Sequence, residues 1–146
     1  MTLVTFSENG KLGGLTVSSF CSLSMDPPLV LICIDREAAS HESLEKTATF
    51  GVNICNSEQR KIALDFANPN IDKNELVRSL PHRITDNGTP LLEGSLAAME
   101  CTITEKYDGG DHTIFVGRIE GGNFDEKAEP LVYYSSGLGE FRPNQV

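Results

Sequence analysis

The sequence predicts a mainly β chain: one antiparallel barrel with two short helices inserted near the middle. Three observations predict it. Short apolar runs bounded by turn residues recur along the chain. One long segment, Ser95 to Tyr107, alternates apolar and polar residues with period two. Regular strand–helix alternation and a GxGxxG motif are both missing, which argues against a doubly wound nucleotide-binding sheet and for an antiparallel barrel. No internal repeat or linker divides the 146 residues, so the expectation is one domain spanning 1–146.

The elements follow in order. Leu3 to Phe6 reads as a short apolar strand. Asn9-Gly10 is a hairpin signal, because both residues tolerate positive φ. Leu12 to Phe20 forms the returning strand. Asp26-Pro27-Pro28 then turns the chain into the apolar run Leu29 to Ile34, which fits a strand buried on both faces. Ser40 is placed to cap a helix reaching about Ala48, with Glu42 in its first turn. Phe50 to Cys55 returns to strand. Ser57 is placed to cap a second helix carrying Ile62, Ala63 and Phe66 at helical spacing, and Asn68-Pro69 ends it. Ile71 to Pro90 reads as a polar connection with one helical turn. Along the Ser95–Tyr107 strand, Ala97, Met99, Cys101 and Ile103 face one side and Glu100, Thr102, Thr104 and Lys106 the other. Asp108-Gly109-Gly110-Asp111 reverses the chain into His112 to Glu120. Leu131 to Tyr134 is the last strand, and a polar tail follows. The total is six or seven strands.

Composition excludes several roles. The net charge is −9, and the 12 Lys and Arg residues form no basic stripe, so a nucleic-acid surface is not expected. No apolar run approaches the roughly 20 residues that span a membrane, and the first ten residues lack the basic and apolar regions of a signal peptide. The four cysteines, Cys21, Cys33, Cys55 and Cys101, form no CxxC pair and sit in apolar, strand-like segments. They read as small buried hydrophobes in a reducing, cytoplasmic setting, and no metal site is expected.

The densest polar cluster is Thr16-Val17-Ser18-Ser19-Phe20 followed by Ser22-Leu23-Ser24. Two readings stand. These residues form an edge strand facing water, or their hydroxyls and neighbouring N–H groups bind phosphate or ring oxygens without positive charge. His112, just after the Gly-Gly-Asp turn, reads by itself as a surface turn histidine. His41 and His82 have no supporting pattern and read as structural.

The stretch Gly14-Leu15-Thr16-Val17-Ser18-Ser19-Phe20-Cys21-Ser22-Leu23-Ser24-Met25-Asp26-Pro27-Pro28-Leu29-Val30 resembles the signature of the flavin reductase-like family. Those proteins are FMN-binding split barrels, antiparallel and six-stranded with Greek-key order, and serve as reductase components of two-component flavin monooxygenases. Phe50-Gly51-Val52-Asn53-Ile54 resembles the family's F-x-V-N strand, Gly110-Asp111-His112 its GDH motif, and Leu131-Val132-Tyr133-Tyr134 its closing strand. Members usually carry a further helix and strand ahead of the segment that begins here at Leu3. They also end on a Tyr-Arg pair, where this chain has Arg142.

The resemblance implies an NAD(P)H:flavin oxidoreductase that moves hydride from NADH or NADPH to FMN or FAD. It also implies a homodimer and a monooxygenase that receives the reduced flavin. Thr16, Val17, Ser18 and Ser19 would contact the isoalloxazine edge and ribityl chain, with Ser22, Leu23 and Ser24 continuing around it. Ser40 and Ser43 would meet the phosphate, with Arg36 or Lys46 nearby, and Asn53 belongs to the matching strand. Gly110, Asp111 and His112 would lie where the nicotinamide binds, with His112 as the catalytic candidate. An FMN-holding electron carrier without a productive nicotinamide site is the alternative. A dimer that has lost flavin is a third. The lack of a carboxylate pair or Cys–His dyad agrees with chemistry carried by cofactors.

Overall fold

The structure, a computed structural model, describes residues 1–142 and Asn144. The expected polar tail therefore lies partly outside the described residues, at Pro143, Gln145 and Val146.

Strands β1 (Thr2–Glu8) and β2 (Lys11–Val17) form the first hairpin. Its turn is Asn9-Gly10, with φ of 52° and 82°, which is the positive-φ pair that the Asn-Gly signal predicts. β3 (Phe20–Met25) and β4 (Pro28–Asp35) form the second. The short helix α1 (His41–Lys46) leads to β5 (Thr49–Ile54). A 3-10 turn (Ser57–Gln59), α2 (Arg60–Ala67) and α3 (Lys73–Ser79) follow. The small hairpin β6 (His82–Ile84) and β7 (Pro90–Leu92) precedes the long hairpin of β8 (Ala97–Gly109) and β9 (His112–Phe124). A last hairpin, β10 (Leu131–Tyr134) and β11 (Gly137–Glu140), ends the described chain.

The main sheet is antiparallel, in the order β2-β1-β5-β8-β9-β4-β3. It curls on itself. Val4 and Phe6 of β1, Val17 of β2, Val30, Ile32 and Ile34 of β4, Phe50 and Val52 of β5, Cys101 of β8 and Phe115 of β9 all meet in one buried cluster, together with Leu44 of α1. Residues from both ends of a flat sheet could not share one interior, so these side chains fill a barrel. The strands at the two ends, β2 and β3, are consecutive in the chain, separated only by Ser18 and Ser19. Just past the break the Cys33 N–H donates to the Ser19 carbonyl at 3.1 Å, which continues the β3–β4 ladder rather than joining β2 to β3. The barrel closes there by chain continuity and few hydrogen bonds, which leaves β3 as a protruding edge.

A second core lies outside the barrel wall. Leu3 and Leu12, on the outer faces of β1 and β2, pack with Ala63 and Phe66 of α2, Val77 of α3, Leu92 of β7 and Leu131 of β10. Alternation along β1 explains both layers: Leu3 points out, Val4 in, Thr5 out and Phe6 in.

Four expectations need correction. The strand expected over Leu12–Phe20 breaks at Ser18-Ser19 into β2 and β3, so the main sheet has seven strands. The cap of the 57–67 region is Asn56, not Ser57. Its side chain accepts from the Glu58 and Gln59 N–H groups, and Gln59 returns the bond to the Asn56 N–H. The connection expected over Ile71–Pro90 holds a seven-residue helix, capped by Asp72 on the Asn74 and Glu75 N–H groups, and a hairpin. Finally, Glu100 does not face water. The β6–β7 hairpin covers it, with Thr85 Oγ1 and Asn87 Nδ2 donating to its carboxylate, the latter at 2.7 Å.

Candidate functional site

The serine-rich segment divides between two duties. Thr16 faces the outer core, and its Oγ1 donates to the Ala63 carbonyl of α2 at 2.7 Å. The Val17 side chain points into the barrel. Ser19 Oγ donates to the Cys33 carbonyl at 2.6 Å, holding the seam. The rest is open: Ser18, Ser22 and Leu23 are exposed, and Ser24 is half-buried. The register of β3 on β4 shifts between Ser22 and Ser24, so Leu23 has no cross-strand partner and its side chain stays 48% exposed. Val17, Ser18 and Phe20 line a cleft of about 400 Å³ that is bounded on its far side by Tyr133 of β10.

Ser40 and Ser43 lie at the opposite end of β2. Both line a pocket of about 280 Å³ with Phe6 and Gly13, where the cations Lys11 and Lys73 sit beside the carboxylates Glu8 and Asp72. Ser40 occupies the N-cap position of α1, but its side chain makes no capping bond, so its hydroxyl remains available to a ligand. Lys46, expected nearby, is engaged by Glu42 at 2.7 Å and Glu8 at 3.8 Å. The described chain therefore does not gather the two serine groups into one pocket.

Asn53 does not join either group. It is fully buried. Its Nδ2 donates to the Leu3 carbonyl at 3.2 Å and to Thr5 Oγ1 at 3.0 Å, and its Oδ1 accepts from the Leu92 N–H at 2.7 Å. The amide ties β5 to β1 and β7.

The turn after β8 is built for exposure. Gly110 has φ of 75°, a value open to glycine at little cost. Asp111 and His112 follow, and Asp111 Oδ1 lies 2.6 Å from His112 Nδ1. That hydrogen bond and the imidazole's positive charge when protonated hold the Asp111 carboxyl below its usual range. With Nδ1 engaged, Nε2 is the nitrogen left for a ligand. The His112 side chain is 39% exposed. His41 and His82 contrast with it. His41 is buried, with Nε2 at 2.8 Å from Thr113 Oγ1 and its ring edge-on to Phe115. His82 Nδ1 lies 2.8 Å from the Leu80 carbonyl. Both serve packing.

Two residues gain roles the sequence reading did not give them. Arg36, expected near a phosphate, reaches instead to the β8–β9 turn. Tyr133 enters the cleft beside Ser18, a pairing 115 residues apart in sequence that no local pattern reports.

The donor set fits a flavin. It offers neutral hydroxyls at Ser18, Ser22, Ser24, Ser40 and Ser43, an exposed bulged strand, and a Ser18 cleft with no acidic group among the described residues that line it. Among the described residues, no cluster of His, Cys, Asp and Glu has the geometry to hold a metal ion.

Comparison with known proteins agrees. Residues 1–142 match the family described as flavin reductase like domain. A NADH-dependent flavin reductase of Rhodococcus sp is 37% identical over 145 residues, covering 97% of this chain and 77% of that protein. A flavin reductase of Pseudomonas putida is 33% identical over 139 residues, covering 95% and 80%. Among solved structures, the NADH:FAD oxidoreductase of Streptomyces globisporus, in complex with NAD and FAD fragments, superposes with a TM-score of 0.90 at 33% identity, covering 98% of this chain and 85% of that one. The flavin reductase component of a bacterial two-component tryptophan halogenase gives 0.90 at 34% identity, covering 98% and 90%.

Proposed function

The chain belongs to the flavin reductase like domain family, and from that membership we propose that it is an NADH-dependent flavin reductase supplying reduced flavin to a monooxygenase. It is an oxidoreductase that uses a flavin and a nicotinamide cofactor. What carries the reading is the extent of the likeness: the match spans residues 1–142, and relatives covering nearly the whole chain are named NADH-dependent flavin reductase and flavin-dependent monooxygenase reductase subunit. The reductase reading is therefore favoured over an FMN-holding electron carrier. FMN and FAD both fit the hydroxyl donors, and the relatives' names favour NADH over NADPH.

The flavin supplies a ring that accepts hydride from the nicotinamide. The chain's own groups bind and orient. Ser18, Ser22 and Ser24 offer hydroxyls along the exposed edge, where donors would stabilise negative charge developing on the ring. Ser40 and Ser43 offer hydroxyls for the phosphate. The Gly110–His112 turn receives the nicotinamide, with His112 Nε2 facing it.

The homodimer fits the same surface. β3 is an unpaired edge with Leu23 48% and Met25 88% exposed. Such an edge invites a covering partner, and a second chain there would complete a site whose serine groups one chain leaves apart. A cytoplasmic setting agrees with four free cysteines. Among the described residues no helix is long and apolar enough to cross a membrane.

The test is an anaerobic visible spectrum of the protein with added FMN or FAD, before and after NADH or NADPH. Rapid bleaching of the flavin band by NADH is expected. A bound flavin that neither donor bleaches would sink the reductase reading in favour of the carrier. The variant His112→Ala should raise KM for NADH roughly tenfold, equivalent to about 1.4 kcal/mol of lost binding, with flavin affinity unchanged.

A further inference from the structure

Arg36 stands just past the end of β4, and it touches three residues of a turn more than 70 positions away. Its Nε donates to the Gly110 carbonyl at 3.1 Å. Its Nη2 donates to Asp108 Oδ1 at 2.7 Å. Its own backbone N–H donates to the Asp111 carbonyl at 2.9 Å. One residue thus spans the turn from its β8 side to the residue before His112. The adjacent ladder ends at the pairs Asp35–His112 and Gly109–His112, and beyond them the hydrogen bonds that tie this tip to the barrel among the described residues come from Arg36.

The tip needs such a tie. Gly109 and Gly110 are the most conformationally free residues a chain can place in a turn. The segment Tyr107 to Asp111 is exposed, so packing does not fix it. A loose turn would have to be ordered each time the dinucleotide binds, and that ordering cost is subtracted from its affinity. The guanidinium is suited to the task, because its planar fork bonds a carbonyl and a carboxylate at fixed angles, which an ammonium cannot do.

We propose that Arg36 is a positioning residue for nicotinamide binding, acting through the Gly110–His112 turn rather than by contact with the dinucleotide or the flavin. The proposal rests on the reading that this turn receives the nicotinamide. The exposed salt bridge contributes little to global stability. The consequence of losing it is therefore expected in the kinetics for one substrate and not in folding.

The experiment is steady-state kinetics of wild type, Arg36→Ala, Arg36→Lys, His112→Ala and the double variant, varying NADH at fixed flavin and flavin at fixed NADH, with thermal melts alongside. Arg36→Ala should raise KM for NADH about fivefold to tenfold. Its kcat, flavin KM and melting temperature should stay near wild type. Arg36→Lys should fall between the two, since it keeps the charge beside Asp108 and loses the carbonyl bond. The double variant should bind NADH no worse than His112→Ala, because both act on one element. A rise in flavin KM with Arg36→Ala would overturn the proposal by placing Arg36 at the flavin. So would full recovery by Arg36→Lys, which would reduce the role to charge, or a lowered melting temperature with all constants changed together. If His112→Ala raises KM for NADH and Arg36→Ala does not, the turn keeps its assignment and the clamp is refuted. If neither variant changes it, the assignment of the turn itself falls, and the proposal with it.

Discussion

The outer face of the first hairpin and the strand that follows it treat similar residues in opposite ways. On the outer side of β1 and β2, under α2 and α3, polar groups are paired inside the protein. Thr5 Oγ1 donates to the Pro90 carbonyl at 2.5 Å and Thr16 Oγ1 to that of Ala63, while the Asn53 amide donates to β1 and accepts from the Leu92 N–H of β7. Past the seam at Ser18-Ser19 the same chain runs bare: Cys21, Ser22 and Leu23 are exposed, and β3 has a neighbour on one side only. Hydroxyls and amides that satisfy each other stabilise a fold. Hydroxyls that face outward are available to a ligand. The seam, two serines long, separates polar groups paired inside the protein from hydroxyls left open.

The comparison breaks most sharply at Asn53. Replacing it with Leu leaves the Leu92 N–H without its acceptor and removes two donated bonds from a fully buried site. An orphaned buried group costs about 1–3 kcal/mol, and the bonds lost to β1 add to that. We expect Asn53→Leu to lose about 3 kcal/mol in urea unfolding at neutral pH. A loss below about 1 kcal/mol would show that this amide is dispensable, and its identity would then call for a ligand-binding explanation.

The buried thiols give the next effect. Burial pushes the Cys101 thiol up to about 12, with the Glu100 and Glu120 carboxylates adding to the shift. Burial likewise pushes Cys55 up to about 11, partly opposed by the N-terminal amine. Folded values above the ordinary 9.0 mean that the unfolded chain loses these protons first. Their contribution is whole below about pH 9 and falls as pH rises toward 11 and 12. The slope approaches about 1.4 kcal/mol per pH unit for each thiol. Cys101→Ala should flatten the decline in urea midpoint between pH 9 and 11 relative to wild type. Parallel declines in the two proteins would remove Cys101 as a cause.

Much of this was legible in the sequence, for physical reasons that differ by element. Asn9-Gly10 located a turn because few residue pairs tolerate its φ values. The period-two pattern located β8 because one face had to fill the barrel. Glu100 misled because alternation says which side a residue faces and not what covers that side. The covering hairpin comes from Thr85 to Asn87, in a stretch whose polarity hid its structure. The one helical turn expected in that stretch understates α3, although Asp72 and Glu75 sit three apart, the spacing of an N-terminal cap and its reciprocal partner. Asn53 and Thr16 matched a motif, and a motif does not distinguish a residue that holds the site's walls from one that faces into it. That distinction needed the partner atoms.

The smallest effect divides the two sides most cleanly. Thr16 and Ser22 lie six residues apart in one motif. Thr16→Ala removes the bond to the Ala63 carbonyl and should lower stability by about 1 kcal/mol, leaving flavin affinity within about twofold of wild type. Ser22→Ala removes an exposed hydroxyl with no protein partner among the described residues and should leave stability within about 0.5 kcal/mol. If Ser22 serves the flavin, that same change should weaken flavin binding severalfold in a fluorescence-quenching titration. The two variants then fail in opposite assays. The opposite pairing, with Thr16→Ala losing flavin and Ser22→Ala losing stability, would place the cofactor on the helix-covered side and turn the site around the barrel wall. Equal losses in both assays for both variants would mean that the seam separates nothing.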